Sequence, residues 1–309
     1  MTGRLYIDGM DAYTEYGVYV TEGGWNDLVA YPPLKAVEFN DWQEMDGIEA
    51  DLSAPVLNSR EVQLKIAFSG DYGGFLRLID QLADGAYHTF NCAHIQRTYR
   101  LRLVSIPNLV NVRLLGITTL RLADDFPMYG YSYLAPSSSI ATVNDYTLDD
   151  VPFTDYGVRV LQGTLNEVIK PPSVKPLLLR NISSVSGALY DSAGDVTYKS
   201  KDVKIFCLMR AETLTELWRN YDALLYDLIR PNERSLGVDE LDQAFPFYYK
   251  NCQVTAFYPT DRIWLQFTLI VTLTTAFRIG DVGTLFAAED DSIIITENNQ
   301  YAIDLKAIH

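Results

Sequence analysis

Histidine and cysteine are scarce in this chain, three of each in 309 residues. Cys92, Cys207 and Cys252 are odd in number, far apart and free of any Cys-x-x-Cys. That pattern excludes a disulfide framework and reads as buried thiols in a reducing compartment. His88 and His94 are six apart beside a strand pattern, not at the i, i+4 spacing of a helical metal pair, and His309 ends the chain. No His-Glu-x-x-His occurs and no cysteine spacing suits zinc. Basic residues are also few, 25 Lys and Arg against 40 Asp and Glu, for a net charge of −15. A sequence-independent hold on nucleic acid needs clustered cations, so that class is excluded. An acidic surface suits a soluble protein, or a wall past which an anion slides. No apolar run approaches the ~20 residues of a spanning helix. The longest candidate, Leu265–Leu273, alternates with Thr and Gln and reads as a strand. Met1-Thr2-Gly3-Arg4 leads into no signal-peptide core, so no secretory leader is expected.

Nucleotide and acyl-transfer signatures are missing too. There is no Gly-Lys-Ser/Thr loop and no Gly-x-Ser-x-Gly elbow, and Asp71-Tyr72-Gly73-Gly74 has no lysine beside it. No cofactor and no metal is expected. Carboxylates are plentiful, but sequence does not place two of them across one bond, so a hydrolase on a β scaffold stays only as an alternative.

What the chain does have is a phrase said twice. Tyr13-Thr14-Glu15-Tyr16-Gly17-Val18-Tyr19-Val20 returns 140 positions later as Phe153-Thr154-Asp155-Tyr156-Gly157-Val158-Arg159-Val160. The register persists: Gly23 meets Gly163, Asn26 meets Asn166, Pro32 meets Pro172, Gly47 meets Gly187 and Asp51 meets Asp191. With one residue inserted, Arg60-Glu61-Val62-Gln63-Leu64 meets Lys201-Asp202-Val203-Lys204-Ile205. With one more, Leu76-Arg77 and Asp80 meet Trp218-Arg219 and Asp222. So long a period marks duplicated domains, not solenoid repeats. The expected division is a first copy at 1–127, a linker at 128–151, a second copy at 152–279 and a terminal β-hairpin extension at 280–309. Apolar residues at 48% supply two cores, and 21 tyrosines suit strands and interfaces.

Within the first copy, Asp8-Gly9 predicts a hairpin turn. Tyr16–Val20, Leu34–Phe39, Arg60–Phe68, Tyr87–Asn91, Tyr99–Ser105 and Val112–Ala123 read as strands. Phe75, Leu78, Ile79 and Leu82 predict one amphipathic helix laid on a sheet. The second copy repeats this order. Its strands are expected near Tyr156–Leu161, Val174–Arg180, Gly187–Tyr190, Asp202–Met209, Phe247–Phe257 and Arg262–Phe277. A longer helix runs through Leu214, Leu217, Trp218, Tyr221, Leu225 and Leu228. Asp191–Asp195 reads as a turn, and Asn232–Phe245 as an insertion the first copy lacks. Asn40–Ser59 has no clean period; a loop this long is usually functional. Its acids Asp41, Glu44, Asp46, Glu49 and Asp51 alternate with Trp42, Met45, Ile48 and Leu52, as in a segment that docks on a neighbour while showing charge to solvent.

This doubled order resembles the tail-tube-like domain of tailed bacteriophages. Leu5-Tyr6-Ile7-Asp8-Gly9 through Tyr16-Gly17-Val18 is similar to the start of distal tail proteins. Trp42, Asp46-Gly47-Ile48-Glu49, Asp51-Leu52 and Arg60-Glu61-Val62 are similar to their next segment. The likeness covers most of 4–127 and, more weakly, 152–278. Many distal tail proteins carry a different second domain, whereas two tube-like domains per chain resemble baseplate hub proteins. The resemblance implies a mainly β fold, a β-sandwich or half-barrel with one flanking helix, in a non-enzymatic ring-forming protein of the virion tail, assembled in the host bacterial cytoplasm. It implies rings that stack through the early loop, here Asp41, Trp42, Glu44, Asp46, Ile48, Glu49, Asp51 and Leu52. The implied partners are copies of the chain itself, as a pseudo-sixfold trimer or a hexamer, the tail tube protein, other tail-tip proteins and DNA in unspecific passage. An alternative is a carbohydrate-binding or adhesion module with Tyr129, Tyr131 and Tyr133 as its platform.

Overall fold

The computed structural model describes residues 1–275, apart from 71, 113–114, 141–142, 144, 177–178, 185 and 191–195. The expected turn at Asp191–Asp195 and the hairpin at 280–309 lie outside the described residues. The fold is mainly β, with a curled half-barrel sheet and few helices. In the first half the main strands are β1 (Tyr6–Ile7), β2 (Met10–Asp11), β3 (Val18–Val20), β4 (Arg60–Ser69), β5 (His88–Cys92), β6 (Arg97–Ser105) and β7 (Leu115–Asp124). In the second they are β8 (Tyr146–Leu148), β9 (Val151–Pro152), β10 (Val158–Val160), β11 (Lys201–Ala211), β12 (Arg234–Val238), β13 (Gln243–Tyr258) and β14 (Ile263–Leu273). The sheets run β2-β1-β5-β6-β7-β4-β3 and β9-β8-β12-β13-β14-β11-β10, the same path with every label raised by seven.

The repeated phrase is not a strand from Tyr16 onward. Ala12–Tyr16 forms a helical turn, α1, N-capped by Asp11, whose Oδ1 accepts from Thr14 N at 2.7 Å. Gly17 ends it at φ 69°, and only then does β3 begin. In the second half a 3-10 turn at Phe153–Tyr156 ends on Gly157 at φ 70°. A left-handed cap favours glycine, and here proximity adds to it. A Cβ would stand 2.6 Å from the Ser69 carbonyl at Gly17 and 2.7 Å from the Arg210 carbonyl at Gly157.

Other matched details follow from the shared path. Asp8 at φ 50° and Asp149 at φ 49° sit at the tips of the first hairpins. Their Oδ1 atoms accept from Thr89 N and Ser235 N, both at 2.8 Å. Strands β4 and β11 alternate strictly enough to bury Val62, Leu64, Ile66 and Phe68, and Val203, Ile205, Cys207 and Met209. Helix α3 (Tyr72–Leu82) lays Phe75 on Phe68 at 4.6 Å between ring centres. In the second half α4 (Thr164–Ile169) is short, and α5 (Leu214–Leu228) is N-capped by Thr213, whose hydroxyl accepts from Glu216 N at 3.1 Å.

Four further expectations need correction. Asn232–Phe245 is not an insertion: β12 pairs with β8 and β13 as β5 pairs with β1 and β6, and a 3-10 turn follows each. The segment expected as a linker holds β8 and β9, which belong to the second sheet. Of Leu34–Phe39 only the end is ladder, Phe39–Asn40 against Glu49–Ala50, while Leu34 makes a single bridge to Leu57. Pro32 and Pro33 offer no N–H there. Nor are there two separate cores, because the buried apolar residues of both halves form one contiguous cluster.

Candidate functional site: the junction between the halves

The two halves meet along a surface built largely from the early segments of the first. After β3 comes a short helix, α2 (Asn26–Val29), then Tyr31-Pro32-Pro33, where proline stiffens the chain into an extended strap. Tyr31 stacks on Tyr221 of α5 at 4.0 Å, and its hydroxyl donates to the Tyr221 carbonyl at 2.5 Å. Tyr221 and Tyr249 donate back to the carbonyls of Val29 at 3.2 Å and Pro32 at 2.9 Å. Burial pushes all three phenols well above their ordinary range, so they remain neutral donors. The strap then adds to the second sheet, with Leu34 N donating to Lys250 O at 3.0 Å.

A second contact is ionic. Arg97 Nη2 reaches both oxygens of Asp222, at 2.5 and 2.7 Å, and its guanidinium lies 4.4 Å from the Trp218 ring centre. Trp218 Nε1 donates to Ile95 O at 2.6 Å. Burial raises the Asp222 carboxyl above its ordinary range, and Arg97 offsets only part of that rise.

The third contact is the loop. Its tip is clasped by Lys175, only 2% exposed, whose Nζ donates to the carbonyls of Trp42 and Met45 at 2.7 Å and Gly47 at 2.9 Å. Asp41 completes the cage at 2.5 Å. Gly47 N and Ile48 N donate to Tyr198 O and Thr274 O, both at 2.8 Å. A Cβ on Gly47 would overlap the Thr274 carbonyl. Asp46 Oδ1 accepts from Tyr198 N at 2.8 Å, Thr197 Oγ1 donates to Gln43 O at 2.8 Å, and Leu52 O accepts from Asn232 N at 2.7 Å.

The eight loop residues singled out from sequence therefore divide. Asp41, Asp46, Ile48 and Leu52 engage the second half of the same chain. Trp42, Glu44 and Glu49 are exposed, with Trp42 Nε1 donating to Glu49 Oε2 at 3.1 Å. Asp51 accepts from Ser53 N and Oγ, and these bonds hold its carboxyl below the ordinary range. Phe39, Trp42 and Met45 leave an apolar face uncovered. Sequence reading missed Lys175, Tyr198 and the Tyr31–Tyr221 pair. The signal for the first was present, since Lys175 lies 140 positions after Lys35 in the repeat register.

The tyrosines of 129–133 divide. Tyr131 and Tyr133 both pack against Tyr226, at 6.1 and 4.8 Å, with Arg230 beside Tyr133 and Tyr226, while Tyr129 is 86% exposed. Among the described residues no group of three or more His, Cys, Asp and Glu is placed to hold a metal ion. No helix among them is long and apolar enough to cross a membrane.

No family model and no curated protein matches the chain. Solved structures to which the chain is similar include the Dit (gp 19.1) protein of phage SPP1, described as a paradigm of the hub adsorption apparatus in phages infecting Gram-positive bacteria. Identity is 12%, coverage is 87% of this chain and 98% of that one, and the TM-score is 0.28. A likeness at that score carries no argument about this chain.

Proposed function

We propose that this protein is a structural, non-enzymatic ring component of a phage tail tip, joining the tail tube to distal tip proteins and leaving an acidic passage for DNA. The observation that carries the reading is one sheet-and-helix unit occurring twice in the chain and docking on itself head to tail. A heterologous contact of that kind, repeated from chain to chain, makes a ring where its rotation closes. End strands β2, β3, β9 and β10 each have one neighbour, and open edges favour assembly. The charge of −15 suits a conduit, because carboxylates repel phosphate where cations would hold it. On this reading three chains make a ring of six like units, matching a sixfold tube; six chains are the alternative. The exposed outer residues of 39–51 meet the adjoining tail protein.

The test is the mass and negative-stain image of the purified protein. Three or six chains around a central hole are expected. Single chains, or counts that are not multiples of three, overturn the ring.

A further inference from the structure

The junction inside the chain has a donor side and an acceptor side, and the duplication supplies a second set of each. The first half donates its strap and its ribbon, Phe39–Asn40 with Glu49–Ala50. The second half accepts them on Lys175, Thr274 and Lys250. The second half has its own ribbon, Leu179–Asn181 with Ala188–Tyr190, carrying Gly187 at φ 88° where the first carries Gly47 at φ 72°. Its strap, Pro171-Pro172-Ser173-Val174, ends on a bridge from Val174 to Tyr198, just as Leu34 bridges Leu57.

The acceptor positions also recur. Lys35 N donates to Val56 O as Lys175 N donates to Thr197 O, each at 2.8 Å, so the two lysines are equivalent. Strand β6 bulges against β7 between Leu103 and Ser105, skipping Val104. Strand β13 bulges against β14 between Tyr249 and Asn251, skipping Lys250. Val104 is thus the first half's Lys250.

What is mated in one set is, among the described residues, bare in the other. Leu34 packs against the core, but Val174 is 50% exposed, and its counterpart acceptor Val104 is 40% exposed. Gly47 presses on the Thr274 carbonyl, but no described residue lies within 4 Å of the Cβ position of Gly187. Lys175 is buried in a cage of oxygens, but Lys35 is exposed.

We propose that the junction between the halves is repeated between chains: the second-half strap and ribbon of one copy dock on Lys35 and Val104 of the next. Val174 N meets Val104 O as Leu34 N meets Lys250 O. The Lys35 ammonium meets the Gly187 carbonyl as Lys175 meets that of Gly47. The occupant is a second copy of this chain, because the surfaces it must match are those already matched within the chain. This rests on the ring reading and specifies which surfaces make the ring.

The experiment is cross-linking of a Val104→Cys, Val174→Cys double variant with a short bismaleimide. The native cysteines are buried, and burial holds their thiols protonated. Covalent species of two and three chains are expected, and equimolar mixing of the two single variants should give two-chain products that neither gives alone. Assemblies of unchanged mass that yield only single chains overturn the junction while sparing the ring; a single-chain mass for the parent protein overturns both. Should the double variant fail to fold, Lys35→Glu on the exposed surface serves instead. At least a tenfold rise in the concentration needed for assembly is expected, against no change for exposed Lys65→Glu. Equal behaviour of the two overturns the proposal.

Discussion

Replacing Lys175 by Met keeps the stem and removes the ammonium. Three carbonyls and the Asp41 carboxylate then lose their common donor. Breaking a buried ion pair from one side costs roughly 3–5 kcal/mol. Here Asp41 is 47% exposed and regains water, as do the carbonyls of an outward-facing loop, so the figure falls to about 2–4 kcal/mol. The loss is local, because the aromatic and Arg97 contacts lie elsewhere on the junction. Hydrogen exchange is the suitable assay, since Gly47 N and Ile48 N are protected only while the loop stays docked on Tyr198 and Thr274. About 2 kcal/mol corresponds to a factor of roughly 30, so both amides should exchange at least about thirtyfold faster. Gly47→Ala should do the same by a separate route, through strain at positive φ and overlap with Thr274. Lys65→Met, at an exposed lysine, is the control, with an effect within about 0.5 kcal/mol. Exchange at Gly47 and Ile48 within threefold of the parent in Lys175→Met would refute the clasp.

Two further outcomes test the junction and its charges. Arg97→Leu or Asp222→Leu alone should each cost about 3–5 kcal/mol in urea unfolding, by stranding a buried charge, whereas the double variant should cost less than either; additive losses would contradict this. Asp8, Asp11 and Glu216 lie below their ordinary pKa values of 3.8, 3.8 and 4.5. Burial opposes this, but donors from Thr89 and His88, from Thr14 and Gly3, and from Ser139 outweigh it. A carboxyl depressed in the folded state stabilises above its unfolded pKa and loses that contribution as pH falls through its folded one. The thermal midpoint should therefore hold from pH 7 to about 5 and fall below about 4; a midpoint flat to pH 3 would contradict the sign.

Periodicity made the long elements legible. Val62, Leu64, Ile66 and Phe68, like the stripe from Leu214 to Leu228, lie as alternation and helical spacing require. The repeat was legible from Tyr16-Gly17-Val18 and its echo, yet the conformation of that phrase was not. Gly17 caps a helical turn only because β4 ends beside it, and that closeness is a tertiary fact. The same reason hid Arg234–Val238, since a five-residue strand is recognised by its partners β8 and β13 more than by its own composition. The loop's acids and apolar residues led to the expectation of docking on a neighbouring ring, whereas the contacts described are to the second half of the same chain. That surface was not legible, because Lys175 reads backbone carbonyls, which leave no mark on the sequence that supplies them.

That last point bears on how such a loop changes over generations. Within 42–47 the lysine cage consults oxygen atoms common to every residue type, and only Gly47 is fixed by shape. Glu44 and Met45 are thereby released from any duty to the fold. New side chains can be tried at these positions without loosening the anchor that holds them in place.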